Sequence, residues 1–283
     1  MKTLITGASG FLGTHLSELI TADTNRYQLT TIGEPLRACK DVDRVYHLAA
    51  NVGGIQYLKE FRRRVVMDNA MMGLNILEAS YRKGVKEFYN IASVCMYPDI
   101  MLKEGNVDFG LPFGDTRGYG LAKRFVMNVA NMYSSDEFKV VNLILTNLYG
   151  EGDKSSHVVA DLVRKIISAE RNGDKSVEVL GKKDTTRDLL YVKDCANIIA
   201  EMPSNVGTVN IATGEEVSIG LLINVICDAA GYKGNIIYTG EDIGQKRRKI
   251  DVRKMKSLGF NPQTSLEEGI YKTVEWAKGE TDG

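Results

Sequence analysis

Thr6-Gly7-Ala8-Ser9-Gly10-Phe11-Leu12-Gly13 decides the fold of this chain. The segment follows a short apolar run over residues 2–6 and precedes an amphipathic stretch over residues 11–20. A strand, a glycine turn and a helix in that order make a dinucleotide-binding turn. Gly7 permits the tight turn, Gly10 lets backbone approach a pyrophosphate, and Gly13 lets the helix pack on the strand. The phosphates would sit on the helix N-terminus, where unpaired N–H groups and the dipole favour an anion. Phe11 and Leu12 open that helix and join the expected cofactor contacts.

Outward from this turn, strands are expected over residues 28–32, 44–48, 87–92 and 139–145, and helices over 66–82 and 119–133. Strands alternating with helices indicate an α/β fold, a Rossmann-type doubly wound parallel sheet with helices on both faces. After Gly150 the pattern loosens, with helices over 157–170 and 220–230 and short strands such as 177–180. Residues 1–150 are therefore expected to form the dinucleotide-binding domain. Residues 151–283 would form mainly a smaller mixed α/β substrate lobe, with a soft boundary that segments cross. Ligands of such sheets bind beyond the carboxyl ends of the strands, which places the cleft between the lobes.

A second motif carries the chemistry. In Tyr119-Gly120-Leu121-Ala122-Lys123 a phenol and an ammonium lie four residues apart, on one face of a helix. Tyr119 is the expected general acid to an oxygen that becomes a hydroxyl. Lys123 would lower the Tyr119 pKa by its charge and bind the nicotinamide ribose. Ser93, after the preceding strand, would hydrogen-bond the same oxygen. With the glycine turn, these residues predict hydride transfer between a nicotinamide cofactor and a carbonyl.

Bulk properties narrow the class. The chain has 283 residues, with 36 Lys plus Arg against 36 Asp plus Glu. Zero net charge argues against a nucleic-acid partner. No apolar run reaches membrane-spanning length, and no cleavable signal peptide is expected. Cys39, Cys95, Cys195 and Cys227 are widely spaced without a CxxC, which reads as reduced thiols in a cytoplasmic protein. No metal site is expected.

The order of the glycine turn, Leu48-Ala49-Ala50, Ser93 and Tyr119-x-x-x-Lys123 resembles the extended short-chain dehydrogenase/reductases, which act mainly on nucleotide-sugars. Asn51-Val52-Gly53-Gly54-Ile55, Ser93-Val94-Cys95-Met96-Tyr97-Pro98, Thr146-Asn147-Leu148-Tyr149-Gly150 and Ser156-His157-Val158-Val159 look like the GDP-L-fucose synthases. So do Arg187-Asp188-Leu189-Leu190-Tyr191-Val192 and the tail from Gly244 to Trp276. The resemblance runs nearly the full length. It implies inversion of C3 and C5 of a GDP-4-keto-6-deoxy sugar and then NADPH-dependent reduction at C4, as in GDP-fucose biosynthesis.

By the same resemblance Cys95 is the base and His157 the acid of the epimerisation. Cysteine and histidine as residue types suit proton transfer near neutrality. Leu48, Ala49, Ala50, Asn147 and Leu148 would contact the cofactor. Asn147, His157, Val158, Lys165, Arg187 and Arg247 would contact the substrate, with Arg187 on its diphosphate. Arg247 belongs to the run Lys246-Arg247-Arg248-Lys249, which reads equally as a solvated charge run.

An acid after the second strand would bind a ribose 2′-hydroxyl, and an Arg would accept a 2′-phosphate. Glu34 and Arg37 leave that choice open. The resemblance favours NADP(H), with NAD(H) as the alternative. His15 is expected on the first helix surface, and His47 in the sheet near the cofactor. The chain departs from the family in a shorter stretch before Arg44, a shorter loop before His157, and Val94 and Gly118 at two site-flanking positions.

Rival readings are a reductase-only or epimerase-only relative acting on another GDP-4-keto sugar, such as a heptose, and an enzyme resembling the NAD-dependent GDP-mannose 3,5-epimerases. A non-catalytic dinucleotide sensor is disfavoured by the intact Ser93, Tyr119 and Lys123. Apolar residues on more than one face of two helices (Val66, Met67, Ala70, Met71, Leu74 and Leu77; Leu121, Phe125, Val126, Val129 and Met132) predict a homodimer paired through a four-helix interface.

Overall fold

The computed structural model describes residues 1–99, 102–240 and 249–281. Strand β1 (Thr3–Thr6) leads to helices α1 (Phe11–Leu19) and α2 (Gly33–Ala38). Strand β2 (Arg44–His47) leads to α3 (Ile55–Glu60) and α4 (Arg62–Arg82), and β3 (Glu87–Ser93) to α5 (Arg117–Tyr133). Then come β4 (Lys139–Leu145), β5 (Asn147–Tyr149), α6 (Val158–Asn172), β6 (Ser176–Val179), β7 (Thr186–Arg187), β8 (Leu189–Tyr191) and α7 (Val192–Glu201). The chain continues through β9 (Thr208–Ile211), β10 (Val217–Ser218), α8 (Ile219–Ala230), β11 (Asn235–Tyr238), α9 (Arg253–Ser257) and α10 (Leu266–Thr281).

Five parallel strands form the central sheet in the order β1-β2-β3-β4-β9. Register explains why these strands are apolar runs rather than alternating ones. Leu4, Val45, Phe88 and Val140 stand side by side, and so do Ile5, Tyr46, Tyr89 and Val141. Successive side chains point to opposite faces. The first row packs with Leu77 of α4 and Ala130 of α5. The second packs with Leu16 of α1 and Ile198 and Ile199 of α7. Both faces are buried under helices, as a parallel sheet requires.

A third core lies in the C-terminal part, where α6, α8 and α10 bring Ile166, Leu222, Ile226, Ile270 and Val274 together. Two segments beyond Gly150 belong to the main sheet layer instead. β9 pairs with β4, and α7 packs on α1. Among the described residues no helix is long and apolar enough to cross a membrane.

The strand expected over residues 28–32 does not form. The sheet edge beside β1 is a single bridge, with Ile5 N–H donating to the Asp23 carbonyl at 3.0 Å and Asp23 N–H to the Thr3 carbonyl at 2.8 Å. Thr30, Thr31 and Ile32 favour strand by branching, but Pro35 sits in the first turn of α2, where its fixed φ starts a helix. Leu29 is buried and its carbonyl accepts from the Asn75 amide at 2.9 Å, which pins the segment as a turn.

Candidate active site

The glycine turn is built by contact as much as by conformation. Gly7 has φ +75°, and an added Cβ would stand 2.7 Å from Ala49 N, so the loops after β1 and β2 touch here. At Gly13 a Cβ would collide with the Gly7 carbonyl oxygen. Helix α1 therefore starts directly on the turn. Its N-cap is Gly10, no side chain caps it, and its first turn carries no acid. Those uncapped N–H groups fit a diphosphate.

The reducing centre is assembled where β3 ends. The Ser93 Oγ accepts from Cys95 N–H at 3.2 Å, which turns the chain into a single helical turn over Val94–Met96. Helix α5 lies against that turn, because at Gly120 an added Cβ would collide with the Cys95 carbonyl oxygen. Arg124, one residue past Lys123, donates to the Met96 carbonyl and, at 2.6 Å, to the Gly110 carbonyl. Tyr119 and Lys123 thus face the Ser93–Cys95 segment from a braced helix.

Lys123 is buried and its Nζ donates to the Ile91 carbonyl at 2.8 Å, 5.9 Å from the Tyr119 ring centroid. Burial lowers the Lys123 pKa to about 8. Burial, with the Cys95 thiol second, raises that of Tyr119. The expected depression of Tyr119 by Lys123 is therefore not what this geometry produces, and the phenol keeps its proton well into the alkaline range.

His47 is buried on β2, its Nδ1 2.8 Å from Thr6 Oγ1. Burial and then Lys123 lower it to about 3, so it is neutral. His15 is not on the surface as expected. It is 9% exposed, under the loop that follows β5, with Nε2 2.8 Å from the Glu151 carbonyl oxygen.

A second loop pair closes the site. Gly54 N–H donates to Ser156 Oγ at 3.0 Å, and a Cβ on Gly54 would stand 2.6 Å from the Ser156 carbonyl oxygen. His157 is the N-cap residue of α6, but its side chain makes no capping bond.

These elements line one cleft of about 850 Å³. It holds Gly7, Gly10, Phe11, Leu12 and Gly13 of the turn, Leu48, Ala49 and Ala50 after β2, and Ser93, Cys95, Tyr119 and Lys123. Asn147, Leu148, His157, Val158, Lys165 and Arg187 line it as well. Arg37 does not. It stands in solvent, paired with Glu34 at 3.4 Å on α2, because the strand expected to aim it is absent. Arg247 lies outside the described residues.

Several expected ligands already hold protein partners. The Asn147 amide donates to the Asp188 carbonyl at 3.1 Å, Lys165 pairs with Asp161 at 3.0 Å, and Arg187 donates to the Thr186 carbonyl at 2.7 Å. Sequence reasoning passed over Asp188. Its buried carboxylate accepts from Thr213 N–H at 3.0 Å and Gly214 N–H at 2.7 Å, and burial pushes its pKa up to about 6. It also passed over Gly120, although a residue without a side chain beside Tyr119 signals a close approach.

The sequence profile described as the NAD dependent epimerase/dehydratase family matches residues 3–220. The GDP-L-colitose synthase of Yersinia pseudotuberculosis is 29% identical over 98% of the chain and 97% of its own length. The GDP-L-fucose synthase of Azorhizobium caulinodans is 30% identical over 97% of the chain and 96% of its own length. The crystal structure of a GDP-L-fucose synthetase from Naegleria fowleri bound to NADP superposes with a TM-score of 0.85 at 26% identity, covering 99% of this chain and 93% of that one.

Proposed function

The chain belongs to the NAD dependent epimerase/dehydratase family, and from that premise we propose that it inverts C3 and C5 of a GDP-4-keto-6-deoxy sugar and then reduces C4 with NADPH. It is an NAD(P)-dependent enzyme of the oxidoreductase and epimerase type, related to enzymes of GDP-sugars. One observation carries the finer reading. Ser93, Cys95, Tyr119 and Lys123 share a single cleft with His157 and the glycine turn.

The chemistry follows from that company. A 4-keto group acidifies the C–H bonds at C3 and C5. The Cys95 thiolate removes a proton from one face of the ring, and the His157 imidazolium delivers one to the other. Ser93 Oγ holds the C4 oxygen while it carries enolate charge. Gly7, Gly10 and Gly13 with the uncapped start of α1 would hold the nicotinamide cofactor, which when bound would supply the hydride for the reduction. Tyr119 gives its proton to the C4 oxygen, and the Lys123 ammonium compensates the phenolate left behind. Arg187 and Lys165 are assigned to the substrate phosphates.

NADP(H) is the proposed cofactor, supported by the NADP-bound relative. A second copy of the chain is the proposed partner, since Met67 and Met71 of α4 and Phe125 and Met132 of α5 are exposed. The four cysteines are all free thiols, which suits a cytoplasmic location. The test is product identification by mass spectrometry and NMR from GDP-4-keto-6-deoxymannose and other GDP-4-keto sugars, with NADPH and NADH compared. A product reduced at C4 with both neighbours inverted is expected. A C4-reduced product with C3 and C5 unchanged would make the enzyme a plain reductase.

A further inference from the structure

The loop over residues 150–157 carries His157 into the cleft, and two groups of hydrogen bonds joined through Gly152 tie it to the cofactor helix. Glu151 is held at both ends. Its carbonyl oxygen accepts from His15 Nε2 of α1 at 2.8 Å, and its carboxylate accepts from Tyr191 Oη at 2.7 Å and from Lys193 Nζ at 2.9 Å. Gly152, at φ +87°, then lets the chain cross α1, where an added Cβ would stand 3.9 Å from both His15 Nε2 and the Phe11 ring. Asp153 is buried and accepts from Ser155 N–H at 3.0 Å. The Ser155 hydroxyl in turn accepts from His157 N–H at 3.1 Å.

The α1 end of this set is equally well defined. The His15 ring stands edge-on to Phe11, 5.9 Å between centroids at 83°. Phe11 is the first residue of α1 and lines the cleft beside the uncapped N–H groups. A carbonyl oxygen can only accept, so His15 carries its proton on Nε2. His15 Nδ1 is buried with no hydrogen-bond partner among the described residues. The side chain is thus committed to one contact across 136 positions of sequence.

We infer that His15 is a positioning residue, which fixes the 150–157 loop to the cofactor helix and so sets His157 for proton transfer. The inference rests on the reading of His157 as the acid of the epimerisation. Displacing a reacting group by about 1 Å can cost about 100-fold in rate. The loop has no regular secondary structure of its own, so His157 is held by the His15–Glu151 bond with Tyr191 and Lys193 at the loop's start and by the Gly54–Ser156 bond at its end.

Two amide substitutions separate this role from burial alone. His15→Gln places an amide nitrogen where Nε2 was, and His15→Asn places it where Nδ1 was, too short to reach Glu151. Both are buried polar amides of similar character. Amide hydrogen exchange of peptides covering 150–157, with and without NADP⁺, and deuterium wash-in at C3 and C5 of the keto-sugar are the readouts. His15→Asn should exchange at least tenfold faster in that loop and wash in deuterium at least tenfold slower, with NADPH affinity within about threefold of wild type. His15→Gln should sit near wild type in all three. NADP⁺ should slow loop exchange in wild type and His15→Gln.

Equal behaviour of the two variants, whether both wild-type or both impaired, would overturn the inference, as would wild-type loop amides that ignore NADP⁺. If wild type washes in no deuterium, the epimerase reading falls, and the amide exchange of the two variants still decides whether His15 holds the loop.

Discussion

The backbone of Gly120 lies against the carbonyl oxygen of Cys95 with no room for a side chain between them. The residue beside the proposed acid of the reduction therefore touches the proposed base of the epimerisation, and the two chemistries share one rigid unit. Gly120→Ala forces α5 away from the Val94–Met96 turn. Overpacking of this kind costs about 1–3 kcal/mol. Thermal unfolding should show that loss, and both deuterium wash-in and hydride transfer should fall at least about tenfold for a misplacement of this size. A variant slowed in only one step would show that the two steps do not depend on this contact.

In its proposed role at the nicotinamide ribose, Lys123 should set a pH limit on cofactor binding. Burial lowers its pKa to about 8, so above that pH the free enzyme loses the charge that the ribose hydroxyls and the Tyr119 phenolate need. The dissociation constant of NADPH should be flat below about pH 8 and then rise by up to about tenfold per pH unit, the limit for one proton. Fluorescence titration from pH 6 to 9.5 measures it. Lys123→Met should bind more weakly and show no break near 8. A break that persists in the variant belongs to another group.

Two buried groups pull stability in opposite directions on acidification. His47 is held near 3 in the folded chain, against about 6.5 unfolded. Between those values only the unfolded chain binds the proton, so this group removes stability as pH falls. Asp188 is pushed up to about 6, against about 3.9 unfolded. Between about pH 6 and 4 only the folded chain binds that proton, so this group adds stability as pH falls. The two slopes oppose in that window. His47→Asn keeps an amide nitrogen for Thr6 and removes one slope. Urea unfolding should find the variant gaining stability from pH 6.5 to 4.5, by at most about 1.4 kcal/mol per unit, while wild type stays flat or declines. Parallel curves would refute the assignment to His47.

The exposed apolar rows of α4 and α5 bear on assembly. Met67 is 57% exposed, Phe125 53% and Met132 83%, which is unusual for residues of that size on two adjacent helices. Sedimentation at micromolar concentration should give a dimer for wild type and a monomer for Phe125→Glu. A wild-type monomer, or a dimer insensitive to the substitution, would remove this face from the account.

What could be read from the sequence was what depends on near neighbours. Gly7, Gly10 and Gly13 with their flanking strand and helix, and Tyr119 with Lys123, are local patterns whose spacing carries the geometry. What could not be read depends on distant contacts. Thr30 to Ile32 look like a strand until Pro35 starts α2, and with that strand gone Arg37 faces solvent. His15 is buried because a loop 136 residues away covers it. Leu77 and Val126, counted among the apolar positions of the dimer helices, are buried in the protomer. The Tyr119 pKa depends on how fully the cleft surrounds the phenol, which no spacing reveals.

The central claim is that one cleft performs C–H inversion and hydride transfer with separate residues. Its most direct test is deuterium wash-in from D2O into the keto-sugar, followed by NMR at C3 and C5, for wild type, Cys95→Ser and Tyr119→Phe. Cys95→Ser replaces an ionisable thiol by a hydroxyl that does not ionise at neutral pH. Wild type should place deuterium at both carbons before reduction, and Tyr119→Phe should still do so while its reduction falls by about 10²–10⁴. Cys95→Ser should lose most of the wash-in. Wash-in by Cys95→Ser at the wild-type rate would contradict the account, leaving Cys95 as packing beside a C4 reductase.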